Sequence, residues 1–295
     1  MDQQRDIDSF LEENGYVGVR HVAAPMASKA LITSDTTVLD KGPATRYRSM
    51  IGSLQYFATE TQWHLAHAVT RLAQFNAAPT VGADKQLQQL MAWLTSNSHR
   101  KLSAPVLSTT TWDVYSDSDH AGDRALGTRS HTGVVIMCNG APVQWRSNKQ
   151  PVTAVSSACA EIYAFAEAVR DARLVKWKAQ EMDCDVPTPL EIQVDNSSVV
   201  VFQSNMNPQS KLKGMIDLRW EWVRELQDAQ EIRAVKVGTD FNIADLLTKP
   251  HGRVKYNSLL EQVQLRGVQL ARQLREVDKG PVQDAVHYVQ YVKSS

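Results

Sequence analysis

Residues 111–122 read TWDVYSDSDHAG. The segment alternates in hydropathy as a β-strand does when one face is buried. It ends on two aspartates, Asp117 and Asp119. Working outward, HTGVVIMCNGAPVQWRS (131–147) holds Asn139-Gly140 between two apolar runs. Both residues tolerate positive φ, so the pair predicts a tight hairpin. Three strands therefore come first. Ser156-Ser157 then offer an N-cap to a long helix reaching about Met182, with Ile162, Phe165, Val169 and Ala172 on one face. LEIQVDN (190–196) is a fourth strand, followed by helices from Ser197 and over 213–229. EIRAVKVGT (231–239) is a fifth strand, and NIADLLTK (242–249) starts another helix. The order βββαβααβα predicts an α/β domain: a mixed five-stranded sheet with flanking helices.

Four acids fall at strand ends or in adjoining helices: Asp117, Glu161, Asp195 and Asp245. Taken singly, each is an ordinary surface or turn acid. Together they are expected at one end of the sheet, where open α/β sheets place their sites. Carboxylates so gathered repel unless cations neutralise them, which is the physical reason to infer metal. Mg²⁺ takes oxygen ligands, and two such ions activate a water and stabilise a leaving oxygen in phosphodiester hydrolysis. Asp119 shares a strand face with Asp117, so spacing alone does not separate them.

Upstream, residues 1–20 read as a short helix carrying Ile7, Phe10 and Leu11. The stretch 20–45 reads as irregular. Residues 45–99 read as three amphipathic helices. Their apolar stripes are Tyr47, Met50, Ile51, Leu54 and Phe57, then Leu65, Ala68, Val69 and Leu72, then Leu87, Leu90, Met91 and Leu94. A polar tract at 96–111 marks a domain boundary. Residues 253–276 form a further amphipathic helix with Val254, Leu259, Leu260, Val263, Leu270 and Leu274. The expected layout is a helical segment (1–105), the sheet domain (106–252) and a helical extension (253–295).

Of 295 residues, 43% are hydrophobic and 22% charged, values of a folded globular chain. Lys+Arg and Asp+Glu are both 32, so bulk attraction to nucleic acid is weak and any binding relies on a local groove. The three cysteines, Cys138, Cys159 and Cys184, form no zinc pattern, and a reducing compartment is expected. No apolar run is long enough to span a membrane, and the charged start MDQQRDIDSF is not expected to be a secretory signal.

The motifs resemble the ribonuclease H domain of copia-type retrotransposon polyproteins over roughly residues 112–250. The matching runs are SDSDHAG (116–122), RSHTGV (129–134), WRSNKQ (145–150), SSACAE (156–161), DNSS (195–198) and ADLLTKP (244–250). That resemblance implies a ribonuclease H-like fold. It also implies that Asp117, Glu161, Asp195 and Asp245 bind two Mg²⁺ ions, with Mn²⁺ as a substitute, and hydrolyse the RNA strand of an RNA–DNA hybrid. It favours Asp117 over Asp119 as the ligand. YRSMIGSLQYFA (47–58) is similar to the segment that follows the polymerase palm in the same polyproteins, so 1–105 resembles a thumb or connection. The chain contains no Asp-Asp pair, so it looks like the C-terminal part of such a polyprotein without the polymerase site. The implied partners are the hybrid and a reverse transcriptase polymerase region or subunit, with no membrane. The implied location is a cytoplasmic retrotransposon particle, with the nucleus as second candidate.

Departures from the family pattern are His64 where an Asp is usual, Cys159 where a Glu is common, and a KGMID run (213–217) lacking the family's His. His64 is expected to be a packing residue. Substrate-binding candidates are Arg146 and Lys149 for backbone phosphates, and Ser157 and Asn196 for a 2′-hydroxyl. Arg170, Arg173 and Lys176 recur every three residues, a stripe expected to be a solvated helix face. Trp112 and Trp145 are expected in the core. Two rivals stand beside the enzyme: a catalytically inactive, retrotransposon-derived nucleic-acid-binding or scaffold module, and a DNA nuclease on the same fold.

Overall fold

The structure, a computed structural model, describes residues 1–26, 30–104, 110–120, 122, 127–204 and 218–277. The chain divides into two compact units. The first comprises Met1–Leu102, Asp123–Thr128 and Leu246–Ser258; the second comprises Ser103–Gly122, Arg129–Asp245 and Leu259–Ser295.

The first unit is helical: α1 (Gln4–Glu13), α2 (Ala30–Thr33), α3 (Lys41–Glu60), a 3₁₀ turn at Trp63–Leu65, α4 (Ala66–Ala73) and α5 (Val81–Thr95). All three apolar stripes read for 45–99 are buried. Fully burying a Leu or Ile side chain contributes about 1.5–3 kcal/mol, so these rows hold the helices together. Thr80 caps α5, its Oγ1 accepting the Ala83 amide at 3.2 Å. A Cβ on Gly82 would stand 2.9 Å from the carbonyl oxygens of Ile32 and Asp35, so the α2–α5 approach needs glycine there. His64 is a packing residue, as expected: it is buried, with Nδ1 2.9 Å from the Tyr256 hydroxyl. Trp93 lies edge-on to both rings, with centroids 5.7 Å from each.

The second unit carries the sheet: β1 (Trp112–Asp119), β2 (His131–Cys138), β3 (Ala141–Lys149), β4 (Leu190–Val194) and β5 (Ile232–Lys236), in the order β3-β2-β1-β4-β5. β1, β2 and β3 are antiparallel neighbours, whereas β4 runs parallel to both β1 and β5. The expected mixed five-stranded sheet with flanking helices is present. Asn139 and Gly140 turn the β2–β3 hairpin with φ of 52° and 77°, the two positive values read from the Asn-Gly pair. Ser156 caps α6 (Ser157–Glu181), its hydroxyl accepting the Cys159 amide at 3.2 Å. Phe165, Ala168, Val169 and Ala172 of α6 pack with Val114, Val134, Ile136, Ile192 and Val194 of the sheet. Trp112 packs against the same core. Two further helices flank it, α7 (Ser197–Ser204) and α8 (Leu218–Asp228).

Some expectations change. The segment read as a helix at 242–249 is a 3₁₀ turn, Ile243–Leu247. Pro250 disfavours α geometry just before it, and Asn242 Oδ1 accepts the Ala244 amide at 3.2 Å, tightening the turn. α9 (Arg253–Val277) matches the expected last helix, but Val254 is exposed in its first turn rather than on the buried face. Residues 213–217 and the tail beyond 277 lie outside the described residues. No described helix is long and apolar enough to cross a membrane.

Candidate metal centre

Parallel pairing sets the site. Ser116 of β1 is the register partner of Val194 of β4. One step further along both strands lie Asp117 and Asp195, at the carboxyl ends of adjacent parallel strands. Glu161 enters from the second turn of α6, five residues after the Ser156 cap. Asp117, Glu161 and Asp195 each bring a carboxylate oxygen within 4.8 Å of the others. Asp117 and Glu161 are buried and Asp195 is half-buried. The register partner of Asp117 is Gly133, which puts no side chain across from it. Asp119 stands outside this group, half-buried and paired in register with His131.

Asp245 is 1% exposed and sits in the 3₁₀ turn. That turn is tied to β1 because Asn242 Nδ2 donates to the Ser116 carbonyl at 3.0 Å, and the Asp245 amide donates to the Asn242 carbonyl at 3.1 Å. Three of the four expected acids thus converge, and the fourth hangs from the residue that precedes Asp117.

The donor set is made wholly of hard carboxylate oxygens, which fits a cation of the Mg²⁺ or Mn²⁺ type. At 4.8 Å two like unit charges repel by about 3.5 kcal/mol at an effective dielectric of 20. A bound cation would turn that cost into binding energy.

The substrate-contact candidates do not gather in one place. Arg146 of β3 reaches α6, with Nε and Nη2 donating to Asp171 at 2.6 and 2.8 Å. Part of its guanidinium fork is therefore committed within the chain. Lys149 is half-buried and opposite His131. Ser157 is exposed at the first position of α6. Asn196 adjoins Asp195, and its Oδ1 accepts the Ser198 amide at 2.8 Å. The basic stripe of α6 is paired internally: Arg170 with Glu167 at 2.6 Å, Arg173 with Glu231 at 3.3 Å, and Lys176 with Thr188 at 2.5 Å. Those partners fit the solvated-face reading.

Sequence reasoning assigned no role to two buried amides. Asn242 holds the Asp245 turn, and Gln150, fully buried, lies between β1, β2 and α6. Both stood inside the quoted runs, but nothing in their spacing distinguished them from surface polar residues.

No protein-family model matches the chain. Retrovirus-related Pol polyproteins from transposon RE1 of Arabidopsis thaliana and transposon TNT 1-94 of Nicotiana tabacum are each 28% identical to it, over 265 and 272 residues and 89% of this chain. These matches take in 18% and 20% of the two relatives, so the chain spans about a fifth of the length of the curated relatives it matches. Secreted RxLR effector protein 161 of Plasmopara viticola is 35% identical over 126 residues, 43% of this chain and 88% of that protein. Among solved structures, the crystal structure of LC11-RNase H1 in complex with RNA/DNA hybrid shares 17% identity at a TM-score of 0.36. It covers 47% of this chain and 94% of its own. The homologues of the chain are copia-type retrovirus-related Pol polyproteins.

Proposed function

We propose that this chain is a metal-dependent endonuclease that hydrolyses the RNA strand of RNA–DNA hybrids, the ribonuclease H part of a retrotransposon reverse transcriptase. The observation that carries this reading is the convergence of Asp117, Glu161 and Asp195, with carboxylate oxygens within 4.8 Å of one another. The Pol polyprotein homologues support the same reading. In the proposed layout, residues 1–105 are a thumb or connection segment, 106–252 the nuclease domain and 253–295 an extension. The proposed setting is a retrotransposon particle in the cytoplasm, with a polymerase region as partner and the nucleus as second location.

Two bound Mg²⁺ or Mn²⁺ ions would supply Lewis-acid activation of water and stabilisation of the leaving 3′ oxygen. Asp117 and Asp195, at the ends of adjacent parallel strands, would hold the ions from the sheet side. Glu161 would complete one ligand set from the helix side, and Asp245 the other from its turn. Ser157 and Asn196 flank the acids and would read the 2′-hydroxyl that separates RNA from DNA. Lys149, with the uncommitted donors of Arg146, would meet backbone phosphate.

Incubating the chain with hybrid, duplex RNA and duplex DNA in Mg²⁺ tests the reading. Cleavage of hybrid alone, abolished by chelation, is the expected result. Binding without cleavage would favour the inactive module, a reading that the internal pairing of Arg146 and the basic stripe already lends some weight. Cleavage of duplex DNA would favour the third rival.

A further inference from the structure

We propose that Gln150 is a positioning residue that sets the geometry of the carboxylate cluster by locking the start of α6 to β1 and β2. The inference rests on the reading of Asp117, Glu161 and Asp195 as metal ligands, and extends it to a residue that touches no metal. Gln150 follows the last residue of β3 and is 0% exposed. Its backbone amide donates to the Ser130 carbonyl at 2.8 Å, which fixes the end of β3 beside β2. Its side-chain Nε2 then reaches three elements: the Ala160 carbonyl at 3.0 Å, Thr132 Oγ1 at 3.1 Å and Ser118 Oγ at 3.4 Å.

Each contact is next to the cluster. Ala160 precedes Glu161 in α6. Ser118 follows Asp117 in β1. Thr132 is the register partner of Ser118 and precedes Gly133, the partner of Asp117. One amide thus bonds to the immediate neighbours of two ligands on two different elements. The amide orientation follows from chemistry, because the Ala160 carbonyl only accepts and so requires the nitrogen on its side.

The other end of the side chain argues the same way. Gln150 Oε1 is buried and has no hydrogen-bond partner among the described residues. A buried acceptor left unsatisfied is costly, and a Met of similar length would fill the space without that cost. What the glutamine contributes there is its donors. Two N–H groups cannot satisfy three acceptors equally, and the bond to Ala160 has the shortest reach. Its effect is on how α6 is set against the sheet, and so on where the Glu161 carboxylate stands. Mg²⁺ demands near-ideal octahedral geometry at short distances, whereas Ca²⁺ tolerates looser, variable coordination. A loosened α6 start should therefore damage Mg²⁺ binding more than Ca²⁺ binding, a discrimination that a merely structural role would not produce.

The test is Gln150→Met in the full chain, with Mg²⁺ and Ca²⁺ binding measured by calorimetry and the melting temperature followed alongside. The expected result is a folded protein whose Mg²⁺ dissociation constant rises by roughly tenfold, the scale of removing a group that orients a metal ligand, while that for Ca²⁺ rises by about threefold or less. Equal loss of both ions, or no loss, from a folded variant would overturn the proposal. Should Gln150→Met fail to fold, Thr132→Val decides instead, since it keeps the shape and removes one acceptor. A selective Mg²⁺ loss in that variant supports the lock, and unchanged or equal binding overturns it. Wild-type protein that binds neither ion would overturn the ligand reading itself, and the lock with it. A wild type that binds Mg²⁺ while a folded Gln150→Met variant binds it equally well removes only the lock.

Discussion

Asp195→Asn removes one of three converging charges while keeping nearly the same side-chain shape. Its magnitude can be worked from the cluster. At 4.8 Å a pair of carboxylates repels by about 0.9 kcal/mol in bulk water and about 3.5 kcal/mol at an effective dielectric of 20. Asp195 is half-buried, so solvent screens its two pairings toward the lower figure. Without metal, the variant is expected to be more stable than wild type by about 1–2 kcal/mol at low salt. For a unit of this size that corresponds to a melting temperature higher by roughly 2–8 °C. With Mg²⁺ the order reverses. A ligand present at a hundred times its dissociation constant stabilises by about 2.7 kcal/mol, so wild type gains more on loading than the variant does. Hybrid cleavage should fall at least about a hundredfold, equivalent to about 2.7 kcal/mol of lost transition-state stabilisation. The assays are thermal melts with and without Mg²⁺, and single-turnover cleavage of a labelled hybrid. A folded Asp195→Asn protein that cleaves at the wild-type rate, with an unchanged Mg²⁺ shift, would refute the reasoning.

Burial, helped by the nearby Arg100, holds His64 well below the usual histidine range. The unfolded chain therefore binds more protons as pH falls below about 6.5, and the stability of the first unit should drop there while staying flat above. His64→Phe should flatten that acid limb, and melts between pH 7.5 and 5 check it. Arg146→Ala leaves the buried Asp171 carboxylate with Arg170 at 3.6 Å as its remaining ion pair among the described residues. Because Arg146 is 31% exposed, the cost should fall below the 3–5 kcal/mol of a fully buried pair, at about 2 kcal/mol in urea titration. An unchanged urea midpoint would mean the pair contributes nothing. Gly140→Ala places a Cβ at φ 77° and should cost about 1 kcal/mol, with the strand pairing intact by circular dichroism.

Much of the second unit was legible because its signals are local. Asn139-Gly140 needs only two positive φ values to announce a hairpin, and Ser156 needs only its own hydroxyl to start α6. The buried stripes of α3, α4 and α5 follow from the 3.6-residue period, which reports burial without knowing the partner. The ambiguity between Asp117 and Asp119 was of another kind. Period 2 puts both on one strand face, and what separates them is distance along β1 relative to the end of β4, a property of register. Register was also needed to bring Asp195 level with Asp117.

The turn at 243–247 reads in sequence as the start of a helix because its apolar residues, Ile243, Leu246 and Leu247, have helical spacing. What decides the turn is the anchoring of Asn242 to Ser116, 126 residues away in sequence. The Arg146–Asp171 pair was invisible for the same reason: an arginine after a tryptophan in a strand carries no sign of which acid a distant helix will present. Gln150 is the clearest case. Placed after a lysine at the end of a strand, it has the sequence context of a solvated residue. Its complete burial arises only when β3, β2, β1 and the start of α6 are assembled around it. Local patterns therefore locate the groups able to carry charge or bind metal, while the residues that fix their spacing emerge from long-range packing. For a site whose ligands must lie within a few ångströms of one another, that second set of residues determines whether the first can work.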